Sequence, residues 1–300
     1  MLEVEFAGLK LRNPTILASG IMGESAGSLI RIAKSGAGAV VTKSIGLEAR
    51  SGYPNPTVVE VECGILNSMG LPNPGIEEFG REIEELKEID IPIIGSIFGK
   101  DEEEFALLAK RMEKYGVDAL ELNLSCPHAK GYGLEIGSDP DAVKSITKEV
   151  KRNVSIPVFP KISANVGDVV EIGKAVEEGG ADGIVAINSI RAMKIDLSTK
   201  MPILHNRFGG YSGKGIKPIG VRCVYELSSE LNIPVIGVGG IETGEDAAEY
   251  ILAGAVAVEI GSAIFYRGID VFKKVCQELE EWMKKNGYNS IDDFRGLALR

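Results

Sequence analysis

Apolar residues along this chain cluster in two ways. Short uninterrupted runs alternate with longer stretches in which apolar positions recur every three or four residues, the spacings of buried strands and of amphipathic helices. The runs come in two forms. In one, a glycine and small residues lead in: Gly36-Ala37-Gly38-Ala39-Val40-Val41, Gly116-Val117-Asp118-Ala119-Leu120, Gly180-Ala181-Asp182-Gly183-Ile184 and Gly254-Ala255-Val256-Ala257-Val258. The glycine suits the left-handed residue that ends a helix. The apolar sequence after it suits a parallel strand buried on both faces. In the other form Ile-Pro leads in, at Ile91-Pro92, Ile156-Pro157 and Ile233-Pro234. Proline is tolerated at a first strand position, where no ladder donor is lost. Asn13-Pro14-Thr15-Ile16-Leu17 joins this second set.

In chain order the two forms alternate and predict eight strands: 15–18, 39–44, 92–98, 118–125, 157–162, 183–189, 234–240 and 256–262. Helical spacing fills 77–88, 102–115, 139–152, 167–178, 217–230, 243–253 and 269–285. Repeated strand–helix units predict an α/β chain folded as a (β/α)8 TIM barrel. An open doubly wound sheet is the alternative, and eight units exceed what most open sheets use. The 300 residues suit one barrel of about 250 residues with modest additions, so residues 1–300 read as a single domain. Leu2–Leu11 resembles a hairpin placed to plug the barrel bottom. The stretches 45–74 and 190–216 are long inserted loops leaving the C-terminal ends of strands two and six. Long connections of that kind are usually functional.

Charge and cysteine usage narrow the chemistry. The net charge is −10 and no basic stripe is visible, which argues against a nucleic-acid partner. One or two placed lysines still suffice for a small anion. Cys63, Cys126, Cys223 and Cys276 form no C-x-x-C pair, and there are two histidines. Neither a metal site nor an iron–sulfur cluster is expected on this chain. No signal segment is visible, and the most apolar stretch, 251–258, is too short to span a bilayer. The expected location is the cytoplasm, away from the membrane.

Active sites of barrels gather at the C-terminal strand ends. Gly239-Gly240 and Gly261-Ser262 end strands seven and eight, where exposed N–H groups commonly hold a phosphate. The plainer reading of Gly237, Gly239 and Gly240 is a tight turn. Their spacing does not fit the dinucleotide fingerprint. Lys43 and Lys161 end strands two and five. Each is open to three roles: holding a substrate carboxylate, facing negative charge on a flavin, or forming a Schiff base. Snorkelling to solvent is the fourth reading. Cys126 opens the loop after strand four beside Asn123, placed for a thiolate to remove a proton next to a carbonyl. The other cysteines read as buried filler, and nearby His128 lacks an evident partner carboxylate.

Taken together, Ala18-Ser19-Gly20, Thr42-Lys43-Ser44, Asn67-Ser68-Met69-Gly70-Leu71, Asn123-Leu124-Ser125-Cys126-Pro127, Lys161, Asn188-Ser189, Gly239-Gly240 and Gly261-Ser262 resemble the dihydroorotate dehydrogenase family over nearly the whole chain. The resemblance implies one FMN across the barrel mouth, its phosphate on Gly239, Gly240, Gly261 and Ser262. It places Lys161 near the flavin ring, with Ser19, Lys43, Ser44, Ser96, Asn123, Ile187 and Gly213 completing the cofactor contacts. It assigns dihydroorotate or orotate to Lys43, Asn67, Ser68, Asn123, Asn188 and Ser189, and to Met69, Gly70 and Leu71 through their backbone. Cys126 is the implied base at C5 while hydride leaves C6 for the flavin.

Cysteine at the base position resembles class 1, and the Gly133–Pro140 loop resembles NAD-linked subclass 1B. That subclass implies a homodimer core joined by a separate electron-transfer subunit carrying FAD and a [2Fe-2S] cluster, a heterotetramer in all. Two residues depart from the family pattern: His128 and Ser96 both stand where asparagine is usual. The alternatives are a tRNA-dihydrouridine synthase, disfavoured by the acidic charge, and a dihydropyrimidine dehydrogenase barrel, disfavoured by Lys43. Outside redox chemistry stand a Schiff-base aldolase and a phosphate-binding barrel without catalysis.

Overall fold

The computed structural model describes residues 1–86, 89–124 and 134–300. The chain begins with β1 (Val4–Phe6) and β2 (Leu9–Leu11), an antiparallel pair. Phe6 packs on Phe159, ring centroids 5.9 Å apart, near the start of a barrel strand and hence at the bottom. Next come β3 (Thr15–Leu17), α1 (Ala26–Lys34) and β4 (Ala39–Val41). Helix α1 has no counterpart among the helical stretches expected from the sequence. Its first turn contains Gly27 and Ser28, poor helix formers. What starts it is a capping box in which Ser25 and Ser28 satisfy each other's backbone N–H.

The first insertion forms a hairpin of β5 (Val58–Val61) and β6 (Gly64–Asn67), followed by α2 (Ile76–Glu85) and β7 (Ile93–Ile97). Then come α3 (Glu102–Tyr115), β8 (Ala119–Asn123), a short α4 (Leu134–Gly137), α5 (Pro140–Asn153), β9 (Val158–Ile162), α6 (Val169–Glu178) and β10 (Ile184–Ala186). Helix α3 shows why such elements stop where they do. Asp101 caps its first turn, and Gly116 ends it at φ 98°, the left-handed position read from the glycine-led runs.

The second insertion holds β11 (Ile190–Ala192), β12 (Ile195–Asp196), β13 (Met201–Pro202) and β14 (Gly209–Ser212). The chain ends with α7 (Lys217–Glu230), β15 (Val235–Val238), α8 (Gly244–Leu252), β16 (Ala257–Ile260), α9 (Ala263–Arg267) and α10 (Val271–Asn286).

Eight parallel strands close in the order β10-β15-β16-β3-β4-β7-β8-β9. These are the eight strands expected from the sequence. Their inward and outward side chains are buried alike, as a strand between a packed interior and a helix layer requires. The two inserted stretches are not bare loops. β5, β6, β14 and β11 join in one four-stranded antiparallel sheet, with Asn67 paired to Gly210. Segments over a hundred residues apart thus build one wall at the barrel mouth.

Candidate active site

One cavity of about 400 Å³ opens at the C-terminal ends of the barrel strands, within the range of small-ligand and cofactor sites. The four-stranded sheet contributes Val58, Ile65, Asn67 and Ser212 to its lining. Lys43 follows β4 and lines the cavity with a side chain only 5% exposed. Its ion partner among the described residues is Glu24, 3.5 Å away and 67% exposed. A buried ammonium with so distant and solvated a counter-charge is suited to an incoming anion. Chain packing fixes its backbone: the Lys43 N–H donates to the Gly23 carbonyl at 2.9 Å.

Lys161, the fourth residue of β9, has a different setting. Its Nζ lies 2.6 Å from Glu259 Oε2 and 3.2 Å from Glu121 Oε2. Burial alone would pull its pKa down. Glu121 and Glu259 outweigh burial, and the net shift is upward. Lys161 is therefore held as an ammonium, which removes it as a Schiff-base nucleophile. Burial raises the Glu259 carboxyl against the pull of Lys161. The sequence reading named neither glutamate as a site residue. The available signal was a charged residue inside an apolar strand run, in Ala119-Leu120-Glu121-Leu122 and Ala257-Val258-Glu259-Ile260.

Hydroxyls and one amide link the remaining strand ends. Asn123 Nδ2 donates to Ser44 Oγ at 3.0 Å, and Ser44 Oγ lies 3.1 Å from Ser19 Oγ and 2.9 Å from Ser96 Oγ. Ser19, Ser44 and Asn123 line the cavity, and Ser96 is fully buried behind Ser44. Asn188 Oδ1 accepts the Ser189 N–H at 2.7 Å. Asn67, Met69, Gly70, Leu71, Ile187, Asn188 and Ser189 line the same cavity. Ser68 does not. It is fully buried, and its Oγ has no hydrogen-bond partner among the described residues. Cys126 and His128 fall in 125–133, outside the described residues.

The loops after β15 and β16 form the far end. Gly239, Gly240, Gly261 and Ser262 line it, and their N–H groups donate to no acceptor among the described residues. Gly239 and Gly240 have φ of 130° and 69°, so both are glycine by backbone need. Gly237 is glycine for another reason: a Cβ there would run into the ring of the fully buried Tyr250. Tyr250 Oη in turn donates to the Gly239 carbonyl at 2.7 Å, pinning the loop. Gly213 does not line the cavity. Its carbonyl abuts Gly240, with φ of 107°. A cluster of loop amides without acceptors among the described residues, close to helix starts, is suited to an incoming phosphate. With the buried lysines and the asparagine edges nearby, the donor set fits FMN.

The fold and the cavity define a (β/α)8-barrel enzyme with a glycine-rich end to its cavity and a charged, amide-rich pocket beside it. A family model described as Dihydroorotate dehydrogenase matches residues 1–283. The chain is 55% identical to the catalytic subunit of dihydroorotate dehydrogenase B (NAD(+)) from Methanocaldococcus jannaschii, over 99% of this chain and 98% of that one. It is 52% identical to the protein of the same name from Pyrococcus abyssi, with complete coverage of both chains. The solved structure of Eimeria tenella DHODH in complex with ferulenol superposes with a TM-score of 0.87 at 26% identity, covering 100% of this chain and 89% of that one. The chain belongs to the dihydroorotate dehydrogenase family.

Proposed function

We propose that this chain is the FMN-dependent catalytic subunit of an NAD-linked dihydroorotate dehydrogenase, oxidising dihydroorotate to orotate in pyrimidine biosynthesis. The observation that carries the reading is the meeting, in one cavity, of a buried weakly paired lysine and a cradle of unsatisfied amides, in a chain of this family. FMN, when bound, supplies the hydride acceptor for C6 of dihydroorotate. Gly239, Gly240, Gly261 and Ser262 hold its phosphate, and Lys161, Ser19, Ser44 and Asn123 face its ring. Ile187 adds an apolar contact. Gly213 and Ser96 serve from behind, by supporting Gly240 and Ser44.

Lys43 binds the substrate carboxylate. Asn67, Asn123, Asn188 and Ser189 match the polar edges of the pyrimidine ring, since carboxamides offer paired donors and acceptors. Met69, Gly70 and Leu71 extend the contact through their backbone. Cys126 is the base that takes the proton from C5. Ser68, buried behind this edge, supports it. We further propose a cytoplasmic homodimer core joined by an electron-transfer subunit carrying FAD and a [2Fe-2S] cluster. No helix among the described residues is long and apolar enough to cross a membrane. The cavity offers no observation that favours an aldolase.

Anaerobic addition of dihydroorotate to the purified protein is the test. Bleaching of bound flavin, with reoxidation by NAD only when the co-purified partner is present, is the expected result. A colourless protein that cannot be reconstituted with FMN, or a flavin left oxidised by dihydroorotate, overturns the reading.

A further inference from the structure

Three buried ionisable groups, Lys161, Glu121 and Glu259, sit together at the inner wall of the cavity. Lys161 contacts Glu121 on the adjacent strand β8 and Glu259 on β16, which is three strands away round the barrel. The second contact therefore crosses the interior. Both carboxylates are 1% exposed and both line the cavity. With two carboxyl groups to one ammonium, the group is not a matched pair. Buried ion pairs are poor stabilising devices compared with apolar packing. Buried charges beside a ligand cavity are more often the mark of a site.

The hydroxyl protons next to Glu121 can be placed by accounting. Ser96 Oγ donates to Glu121 Oε1 at 3.1 Å. Its one proton is then used, so in the 2.9 Å contact with Ser44 the Ser44 hydroxyl is the donor. Ser44 oxygen in turn accepts from Asn123 Nδ2 and from Ser19. Every donor in the chain thus points toward Glu121. One carboxylate holds the ammonium with one oxygen and, with the other, orients Asn123 through two serines.

We propose that Glu121 and Glu259 are positioning residues of the flavin site: they keep the Lys161 ammonium protonated and fixed at the cavity wall, and Glu121 also sets the amide orientation of Asn123. The proposal rests on the cavity being the FMN site. Without the carboxylates, Lys161 would be a cation buried among neutral groups, and its pKa would fall. The other charged residue lining the described cavity is Lys43, which stays in every variant, as does the Cys126 thiol.

The midpoint potential of bound FMN, followed against pH, tests this without turnover. In Glu121→Gln/Glu259→Gln the potential should show a new break where Lys161 loses its proton. Above the break, the reduced flavin should bind roughly tenfold less tightly relative to the oxidised, a fall of about 30 mV for a two-electron couple. Wild type keeps Lys161 protonated, so its own break here should be that of the buried Glu259 carboxyl, and the all-neutral Glu121→Gln/Lys161→Met/Glu259→Gln protein should show neither. If the double variant does not fold, Glu259→Gln alone should show the same break at higher pH. A potential that tracks wild type at every pH, or a break that survives Lys161→Met, overturns the proposal. Failure of wild type to bind FMN, or to be reduced by dihydroorotate, counts instead against the function.

Discussion

Lys43 and Lys161 are both buried lysines at strand ends, yet their surroundings assign them opposite tasks. Lys161 is held by two glutamates, and among the described residues Lys43 has one solvated glutamate at 3.5 Å. An anion entering the cavity gains more from Lys43. Lys43→Ala should weaken orotate binding by about tenfold to a hundredfold, the scale of a lost charged hydrogen bond; titration of flavin absorbance with orotate, on protein loaded with equal FMN, measures it. Cys126→Ala should lower flavin reduction by dihydroorotate about 10²- to 10⁴-fold, the usual share of a positioned base, while FMN stays bound. Stopped-flow reduction at wild-type speed would remove the thiol from its role. Both lysines were legible in the sequence as strand-end residues, but their different duties were not. Burial and counter-charge are properties of the neighbourhood, and Glu121 and Glu259 come from strands about 140 residues apart in the chain.

Helix α8 ties the Gly239–Gly240 loop to the barrel through Tyr250, and two glycines clear space for that ring. A Cβ on Gly220 would meet the Tyr250 hydroxyl, and one on Gly237 would meet its ring carbons. Gly220→Ala and Gly237→Ala should each cost about 1–3 kcal/mol by overpacking, read as a lower denaturation midpoint. Tyr250→Phe should restore Gly220→Ala, because the offending oxygen is gone, and leave Gly237→Ala unrelieved. Equal rescue of both would contradict the packing.

The same helix begins in a capping box between Thr243 and Asp246. Burial pushes the Asp246 carboxyl up, but Lys217 and the N–H groups of Glu242 and Thr243 pull it below the ordinary carboxylate value. A depressed folded pKa means the cap contributes fully above the unfolded value of about 3.9 and is lost as pH falls through the folded one. Asp246→Ala should cost about 1–2 kcal/mol at neutral pH, and the difference from wild type should shrink in acid unfolding curves.

At the scale of the whole molecule, the cavity joins barrel strands and inserted sheet, so filling it should stabilise the fold. FMN at a hundred times its dissociation constant should add about 2.7 kcal/mol. The expected sign is a concentration-dependent rise in Tm, and an apoprotein whose Tm ignores FMN would count against the cradle. The amino-acid sequence alone was enough for the eight strands and their helices, because a strand buried on both faces must be apolar throughout and a helix must show its period. It was also enough for the glycine-led loops and for the family resemblance. The first helix escaped although Leu29, Ile32 and Ala33 lie buried at helical spacing, because it is only nine residues long and its first turn carries Gly27 and Ser28, which blur its start. The mouth sheet escaped because strands such as Gly209–Ser212 take their form from partners far along the chain. Only the closed barrel decided that Glu121, Lys161 and Glu259 share one point, since that contact spans the interior and no local pattern records it. The tertiary structure likewise decided which of the named serines face the cavity and which stand behind it, because side-chain direction at a strand end depends on what the neighbouring strands leave room for.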